Sequence, residues 1–456
     1  MKVQKFRSAI EKSRNVIYEA EKVLWEHPET GFNEWKTSRY LEERMEKLGY
    51  TLVKAGNIPG FYADFETGKP GPKVLVMAEM DSVLNAQHPK CNPQTYAVHA
   101  CGHHCQCAAL LGFAAALRKG SLEGASGSIR IMFVPAEELI QLEERNEKIR
   151  QGIIKCLSGK QEFMLRGYMK GVDLAVHMHT ITGEPGTMCA SRGFNGNLQK
   201  LISFQGKSCH AGGPGDGINA LMAFCLGLNA VNAIRDTFSE KDYIRYNMVV
   251  TGRKSGGNAI PDLITAEGTL RASTITALKR ENIRINRCLA SSAAAIGAQV
   301  HLTQLPGYYP FHSSEEFVDI ANRVMVDVVG ENHVYQSTPG DTSCSDVGDV
   351  SALFPTLEAY TSGLTGTFHG DDLYVTDLYS AVILPAVFEL CLMQELLQEN
   401  GLKAKKIMES FCPAYTSIEK YWEEKESFFI DEDLVQYQVE NYYFLGRYHV
   451  MVKVAI

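Results

Sequence analysis

Nine residues, His99-Ala100-Cys101-Gly102-His103-His104-Cys105-Gln106-Cys107, carry six imidazole or thiol side chains. Such groups are the usual ligands of zinc and related transition metals, and a Cys-x-His pair around a glycine lets the backbone bend so that both reach one ion. Elsewhere, carboxylates and histidines recur just past apolar runs. Glu79 and Asp81 follow the run 74–78, Glu137 and Glu138 follow 128–134, His177 and His179 follow 172–176, and His369 sits in a glycine-flanked loop. Two adjacent carboxylates can divide the labour of hydrolysis, one binding a metal while the other accepts a proton from the attacking water.

Plainer readings exist for each. Glu137-Glu138 alone also suits an acidic helix start favoured by the helix dipole. A lone histidine is more often satisfied in a core than bound to metal, and His369 alone reads as a surface histidine. Strand alternation puts His177 and His179 on one face, so spacing leaves the choice between them open. Asp81 shares a face with Glu79 and is a candidate to orient a metal ligand from behind. Cys101, His103, Cys105 and Cys107 also permit a structural zinc site, although no second closely spaced ligand pair completes the four-ligand pattern. A Ser/His/Asp hydrolase would need a Gly-x-Ser-x-Gly elbow, which the sequence lacks.

The elements that must position these groups are legible in outline. Helical spacing over residues 5–48 predicts two helices broken at His27-Pro28-Glu29-Thr30-Gly31. The run 74–78 is apolar on both faces, as a buried central strand should be. Residues 128–134 and 172–176 predict further strands, 106–117 a buried helix, and 139–170 a mostly helical amphipathic segment. Apolar strands with metal-capable residues beyond their carboxyl ends match the place where open α/β sheets bind ligands. From residue 196 the order strand, helix, two strands, helix, strand predicts an inserted two-layer unit over 196–308. The first domain then comprises 1–195 and 309–456, of which 400–456 is an aromatic, acidic extra tail without a motif.

A chain of 456 residues, 45% hydrophobic, is too long for one small core, so two domains are expected. A formal charge of −8 without a long basic run argues against nucleic acid. No stretch of about 18 apolar residues runs on without charge, so no membrane span is expected. The N-terminus lacks the apolar core of a signal peptide, and the twelve irregularly spaced cysteines read as reduced thiols, which points to the cytoplasm.

Several ordered motifs between about residues 5 and 398 carry a resemblance to a known family. They are His27-Pro28-Glu29-Thr30-Gly31-Phe32 with Glu34 and Thr37, Ala78-Glu79-Met80-Asp81, His99-Ala100-Cys101-Gly102-His103 and Pro135-Ala136-Glu137-Glu138. Also matching are His210-Ala211 with Pro214, Gly256-Gly257-Asn258-Ala259-Ile260-Pro261-Asp262, and Gly268-Thr269-Leu270-Arg271. The chain resembles the M20 metallopeptidases, in particular the amidohydrolase branch of auxin-amino-acid, hippurate and aminobenzoyl-glutamate hydrolases. The resemblance implies a mixed-sheet, zinc-peptidase-like catalytic α/β domain with an inserted ferredoxin-like α+β lid that also dimerises.

It further implies that Cys101, His103, Glu138, His179 and His369 bind two divalent ions, Zn²⁺ or Mn²⁺, with Glu137 as general base. The family's histidine six residues after an aspartate falls, counting from Asp173, on His179. His210 would help polarise the scissile carbonyl, often across a dimer interface, and Asn258 and Arg271 would hold the substrate carboxylate. Where the family reads Cys-Gly-His-Asp-x-His, this chain has His104 and Gln106, which makes His104 a candidate extra ligand. The leading expectation is a homodimeric hydrolase of an N-acyl amino acid or small dipeptide-like amide. An aminopeptidase or dipeptidase, a catalytically silent metal- or amino-acid-binding protein, and a zinc-stapled interaction module are the competing readings.

Overall fold

The structure is a computed structural model and describes residues 3–253, 256–338, 340–439, 442–444 and 451–453. The described residues fall into two compact units. The first spans Met1–Gly193, Phe311–Pro339 and Ser345–Ile418, and the second Phe194–Pro310, Gly340–Cys344 and Glu419–Ile456.

The first unit is built on an eight-stranded mixed sheet. Its centre is four parallel strands in the order Ser128–Val134, Lys73–Glu79, Leu174–Thr182 and Thr356–Thr365, flanked by the antiparallel Phe61–Glu66. These central strands are almost wholly buried, which is why they read as continuous apolar runs rather than alternating ones. Parallel register brings Glu79 opposite Val134 and Met77 opposite His177, so the carboxyl ends of several strands present their polar residues at one edge.

The helix His103–Arg118 is buried at every position except Arg118 and packs against the helices Arg14–Glu26 and Leu384–Leu397. It begins three residues earlier than expected, so His103 and His104 belong to its first turn. The N-terminal region forms three helices, Val3–Glu11, Arg14–Glu26 and Trp35–Lys47, not two. Residues 139–170 hold only two short helices, Leu142–Arg150 and Gly159–Leu165. The strand expected to stop before His177 continues through His179 to Thr182. One helical stretch, Tyr379–Leu397, is long and apolar enough to cross a membrane, but 89% of its window is buried, as in the core helix of a water-soluble fold.

The second unit is a five-stranded antiparallel sheet in the order Arg245–Arg253, Leu263–Ala272, Gly196–Gln205, Gln299–Pro306 and Ile430–Asp433. The helices Ala220–Ile234 and Ile275–Ile296 pack on it, and Leu263–Ala272 alternates buried and half-buried residues as a one-sided sheet requires. The fifth strand comes from the tail, with His301 opposite Asp433 and Gln304 opposite Ile430. The tail from Glu419 thus extends the smaller sheet instead of the larger one. Most of the chain beyond Val439 lies outside the described residues.

Candidate metal centre

Cys101 occupies the turn before the helix His103–Arg118, and Gly102 between them takes a left-handed conformation, φ 90°. A side chain there would also meet Leu364 and the Thr180 carbonyl at 3.0 and 3.1 Å. Glycine therefore permits the sharp reversal that aims Cys101 and His103 the same way. Glu137 and Glu138 leave the strand Ser128–Val134 through Pro135 and Ala136, itself left-handed at φ 57°. His179 projects from inside its strand. His369, left-handed at φ 60°, is tied down by its backbone N–H donating to the Ala100 carbonyl at 2.8 Å.

These segments bring donor atoms together in three overlapping groups, each with all its donor atoms within 4.8 Å of one another: Cys101, His103 and His179; Cys101, Glu138 and His369; and Glu79, His103 and Glu137. Cys101 is common to the first two. Its Sγ lies 3.8 Å from His179 Nε2, and Glu138 Oε1 lies 3.1 Å from His369 Nε2. The buried Nε2 of His103 makes no well-formed hydrogen bond and lies 3.2 Å from Glu79 Oε2, its partner in the third group. Thiolate, imidazole and carboxylate donors in two groups sharing one sulfur fit a pair of divalent ions.

Electrostatics separates the two glutamates. Burial pushes both up, but the charge and hydrogen bond of His369 bring Glu138 down to about 2. Glu137 is held well above the usual carboxylate range by burial and by Glu79, Glu138 and Asp346, which outweigh the lowering charge of Lys160. One carboxylate is thus kept anionic while the other holds a proton more tightly. Burial and the charge of His103 drive His179 down to about 3, so its ring is neutral. Burial also raises the Cys101 thiol well above its ordinary value, with Glu138 and Glu137 adding to it. Forming the thiolate therefore calls for a cation beside it.

His177 plays another part. Its Nδ1 pairs with Glu358 at 2.6 Å and its Nε2 lies 3.2 Å from both Glu79 Oε1 and Gln106 Oε1. Burial disfavours its charge, yet Glu358 and Glu79 raise it to about 10, which makes it an ion-paired imidazolium. Gln106 joins the same network by donating to Glu79 Oε2 at 3.0 Å. Lys160, fully buried, donates to Glu79 and, at 2.5 Å, to Asp346. Sequence reading passed over Lys160, Asp346 and Glu358, although a glutamate in the buried run Thr356-Leu357-Glu358-Ala359 was itself a signal.

His104 belongs to none of the donor groups among the described residues. Its ring stacks 5.1 Å from both Trp25 and His99, and its Nε2 lies 3.5 Å from Glu21. One helical residue turns the side chain by about 100°, so His103 and His104 cannot face the same ion. Cys107 donates to the Glu79 carbonyl at 3.0 Å and Cys105 lies against His104 at 3.4 Å, which leaves the proposed four-ligand zinc staple unassembled. Asp81 stands behind the centre: Oδ1 lies 3.1 Å from His103 Nδ1, and Oδ2 accepts the Glu138 N–H at 2.8 Å.

The remaining expected residues lie in the second unit. His210 pairs with Ala259 in an isolated bridge, and Ala211 donates to the Asn258 carbonyl. Arg271, on the strand Leu263–Ala272, donates to the Thr342 carbonyl at 3.0 Å.

The sequence profile described as Peptidase family M20/M25/M40 matches residues 75–394. Thermostable carboxypeptidase 1 of Saccharolobus solfataricus is 26% identical over 320 residues, 68% of this chain and 76% of its own. N-acetylcysteine deacetylase of Bacillus subtilis is 25% identical over 331 residues, 70% and 81% of the two chains. IAA-amino acid hydrolase ILR1-like 2 of Arabidopsis thaliana is 27% identical over 336 residues, 69% and 70%. Among solved structures, an aminobenzoyl-glutamate utilization protein from Klebsiella pneumoniae shares the fold with a TM-score of 0.68 at 19% identity, covering 87% of this chain and all of that one. A Bacillus subtilis protein described as a dinuclear metal binding peptidase from the M20 family gives 0.63 at 19% identity, with 85% and 99% coverage.

Proposed function

Since the chain belongs to peptidase family M20/M25/M40 and is a metal-dependent amidohydrolase acting on an amide or peptide bond, we propose that its substrate is an N-acyl amino acid or a small dipeptide-like amide. The observation that carries this reading is the pairing of two donor groups through Cys101 with Glu137, a carboxylate whose proton affinity burial raises, beside them. Cys101, His103, Glu138, His179 and His369 would hold two divalent ions, Zn²⁺ or Mn²⁺. When bound, the ions supply Lewis acidity for the scissile carbonyl and for the attacking water.

The chain's own residues do the rest. Glu137 takes the proton from the water and returns it to the leaving amine. Glu138 and His369 stay paired, Asp81 fixes the tautomer and aim of His103, and Lys160 balances the carboxylates around Glu137. His210 polarises the carbonyl, and Asn258 and Arg271 receive the substrate carboxylate. Relatives bearing names such as N-acetylcysteine deacetylase and IAA-amino acid hydrolase support the N-acyl amino acid class. All twelve cysteines stand outside disulfides, which supports a reducing, cytoplasmic setting, and the resemblance supports a homodimer through the inserted unit over 196–308, to which the tail from Glu419 adds a strand.

A panel of N-acyl amino acids and dipeptides, assayed with added Zn²⁺, Mn²⁺ or Co²⁺, tests the reading. Turnover of N-blocked substrates is expected. A strict need for a free α-amino group would make the enzyme an aminopeptidase or dipeptidase, and ligand binding without turnover under any metal would make it a silent homologue.

A further inference from the structure

The helix Leu142–Arg150, Leu-Glu-Glu-Arg-Asn-Glu-Lys-Ile-Arg, has the composition of a solvated surface helix. One of its cations is nevertheless inside: Arg145 is only 2% exposed. Its guanidinium forks, with Nη2 donating to the Glu138 carbonyl and Nη1 to the Leu157 carbonyl at 2.6 Å, while it lies 5.6 Å over the Phe32 ring. The fit is close. A Cβ on Gly31 would come within 2.3 Å of Nη2 and 2.9 Å of the Ala136 Cα.

The turn that Arg145 touches is the one that displays Glu137 and Glu138. Its other backbone groups are held separately: Ala136 N–H by Glu34 Oε1 at 2.7 Å, the Ala136 carbonyl by the Gly159 N–H at 3.2 Å, and Glu138 N–H by Asp81 at 2.8 Å. Ala136 sits at φ 57°, a conformation that a residue with a Cβ keeps only when its surroundings over-determine it. Arg145 adds the side-chain restraint on the Glu138 carbonyl, which also accepts the Ile140 N–H at 2.9 Å. Its second arm, on Leu157, fixes the start of the segment that carries Lys160 to Glu79 and Asp346.

We infer that Arg145 is a positioning residue that locks the Glu137–Glu138 turn in the pose in which one carboxylate faces the ions and the other the attacking water. The inference rests on the roles given above to those two glutamates. A guanidinium is suited to it because its planar fork reaches two carbonyls from two separate nitrogens, whereas the donors of an ammonium all radiate from one nitrogen on a flexible stem.

The test compares the full-length wild type with Arg145→Lys, Arg145→Met and, as a control on the same helix, Lys148→Met, which loses contacts only to Asn33 and Glu144. Zn²⁺ affinity is measured by competition with a chromogenic chelator, and kcat and KM on an N-acyl amino acid that the wild type cleaves. Arg145→Lys is expected to weaken one of two Zn²⁺ sites at least tenfold and to lower kcat ten- to a hundredfold with KM within about twofold. Lys148→Met is expected to change neither. Arg145→Met should exceed Arg145→Lys in both losses; if it does not fold, Arg145→Lys alone decides. A lowered Tm in Arg145→Lys with Zn²⁺ affinity and kcat intact would reduce Arg145 to a structural role and overturn the inference. A wild type that binds no Zn²⁺ would instead overturn the metal reading of the site, so the two failures are distinguishable.

Discussion

Asp81 Oδ1 lies 3.1 Å from Nδ1 of His103, deep in the protein where neither side chain meets solvent. That contact holds a proton on Nδ1 and aims Nε2 at the donor cluster, where a cation would take the place of the second proton that Glu79, Asp81 and Glu138 favour by raising the ring, against burial, to about 9. Asp81→Asn keeps the shape but removes the charge, and an amide offers a single oxygen for the two N–H groups that Asp81 now receives. Metal affinity is expected to fall ten- to a hundredfold. A metal-competition titration checks it, and an unchanged dissociation constant would refute the role.

Glu137→Gln should behave differently. Glu137 is 8% exposed and burial raises its proton affinity, which suits a base, while the anionic partner Glu138 remains to bind metal. Loss of the proton carrier is expected to lower kcat by roughly 10²–10⁴-fold with metal content retained. Full turnover by this variant on a substrate the wild type cleaves would remove Glu137 from the mechanism.

Lys200 gives the second unit a pH signature. Its Nζ is fully buried and donates to Asn282, to Asn286 at 2.7 Å and to Gln304 at 2.8 Å, with no carboxylate among them. Burial lowers its pKa to about 7, against roughly 10.4 in an unfolded chain. Between these values the unfolded state binds more protons than the native one, so stability rises with pH across the window, and below pH 7 that contribution is absent. Relative to Lys200→Met, the wild type is expected to gain thermal stability between pH 7 and 10. Parallel Tm-versus-pH curves for the two proteins would contradict this.

Chelation should stop turnover without cooperative unfolding. The core around the central strands and the helix His103–Arg118 is apolar and continuous, so the chain has a core to fold around without an ion. Treatment with EDTA is expected to abolish activity and lower Tm by the linked binding energy while far-UV circular dichroism is kept. Collapse of the helical signal on chelation would favour a zinc-stapled module.

Much of the first unit was legible because chemistry and pattern coincided there: runs apolar on both faces ended at Glu79, Glu137 and the His177/His179 pair. What was hidden depended on angles or long-range pairing. His103 and His104 look equivalent in the sequence, and only helical phase separates them. Arg145 sits in a run whose charges announce solvent, and its burial comes from Gly31 and Phe32, more than a hundred residues earlier. Ile430-Asp431-Glu432-Asp433 has none of the β-branched, alternating composition of a strand apart from its first residue. It pairs because His301 and Thr303 across the ladder bind its aspartates, with His301 Nδ1 2.9 Å from Asp433 and Thr303 donating to Asp431 at 2.7 Å.

That short acidic strand has a consequence for how copies of the chain can add to one another. A sheet adds strands by main-chain hydrogen bonding at its two borders, which among the described residues are Arg245–Arg253 on one side and the four-residue tail strand Ile430–Asp433 on the other. The tail therefore covers the border of Gln299–Pro306 and puts in its place a short strand carrying Asp431, Glu432 and Asp433, and a short, charged border is a poor template for pairing with a further strand.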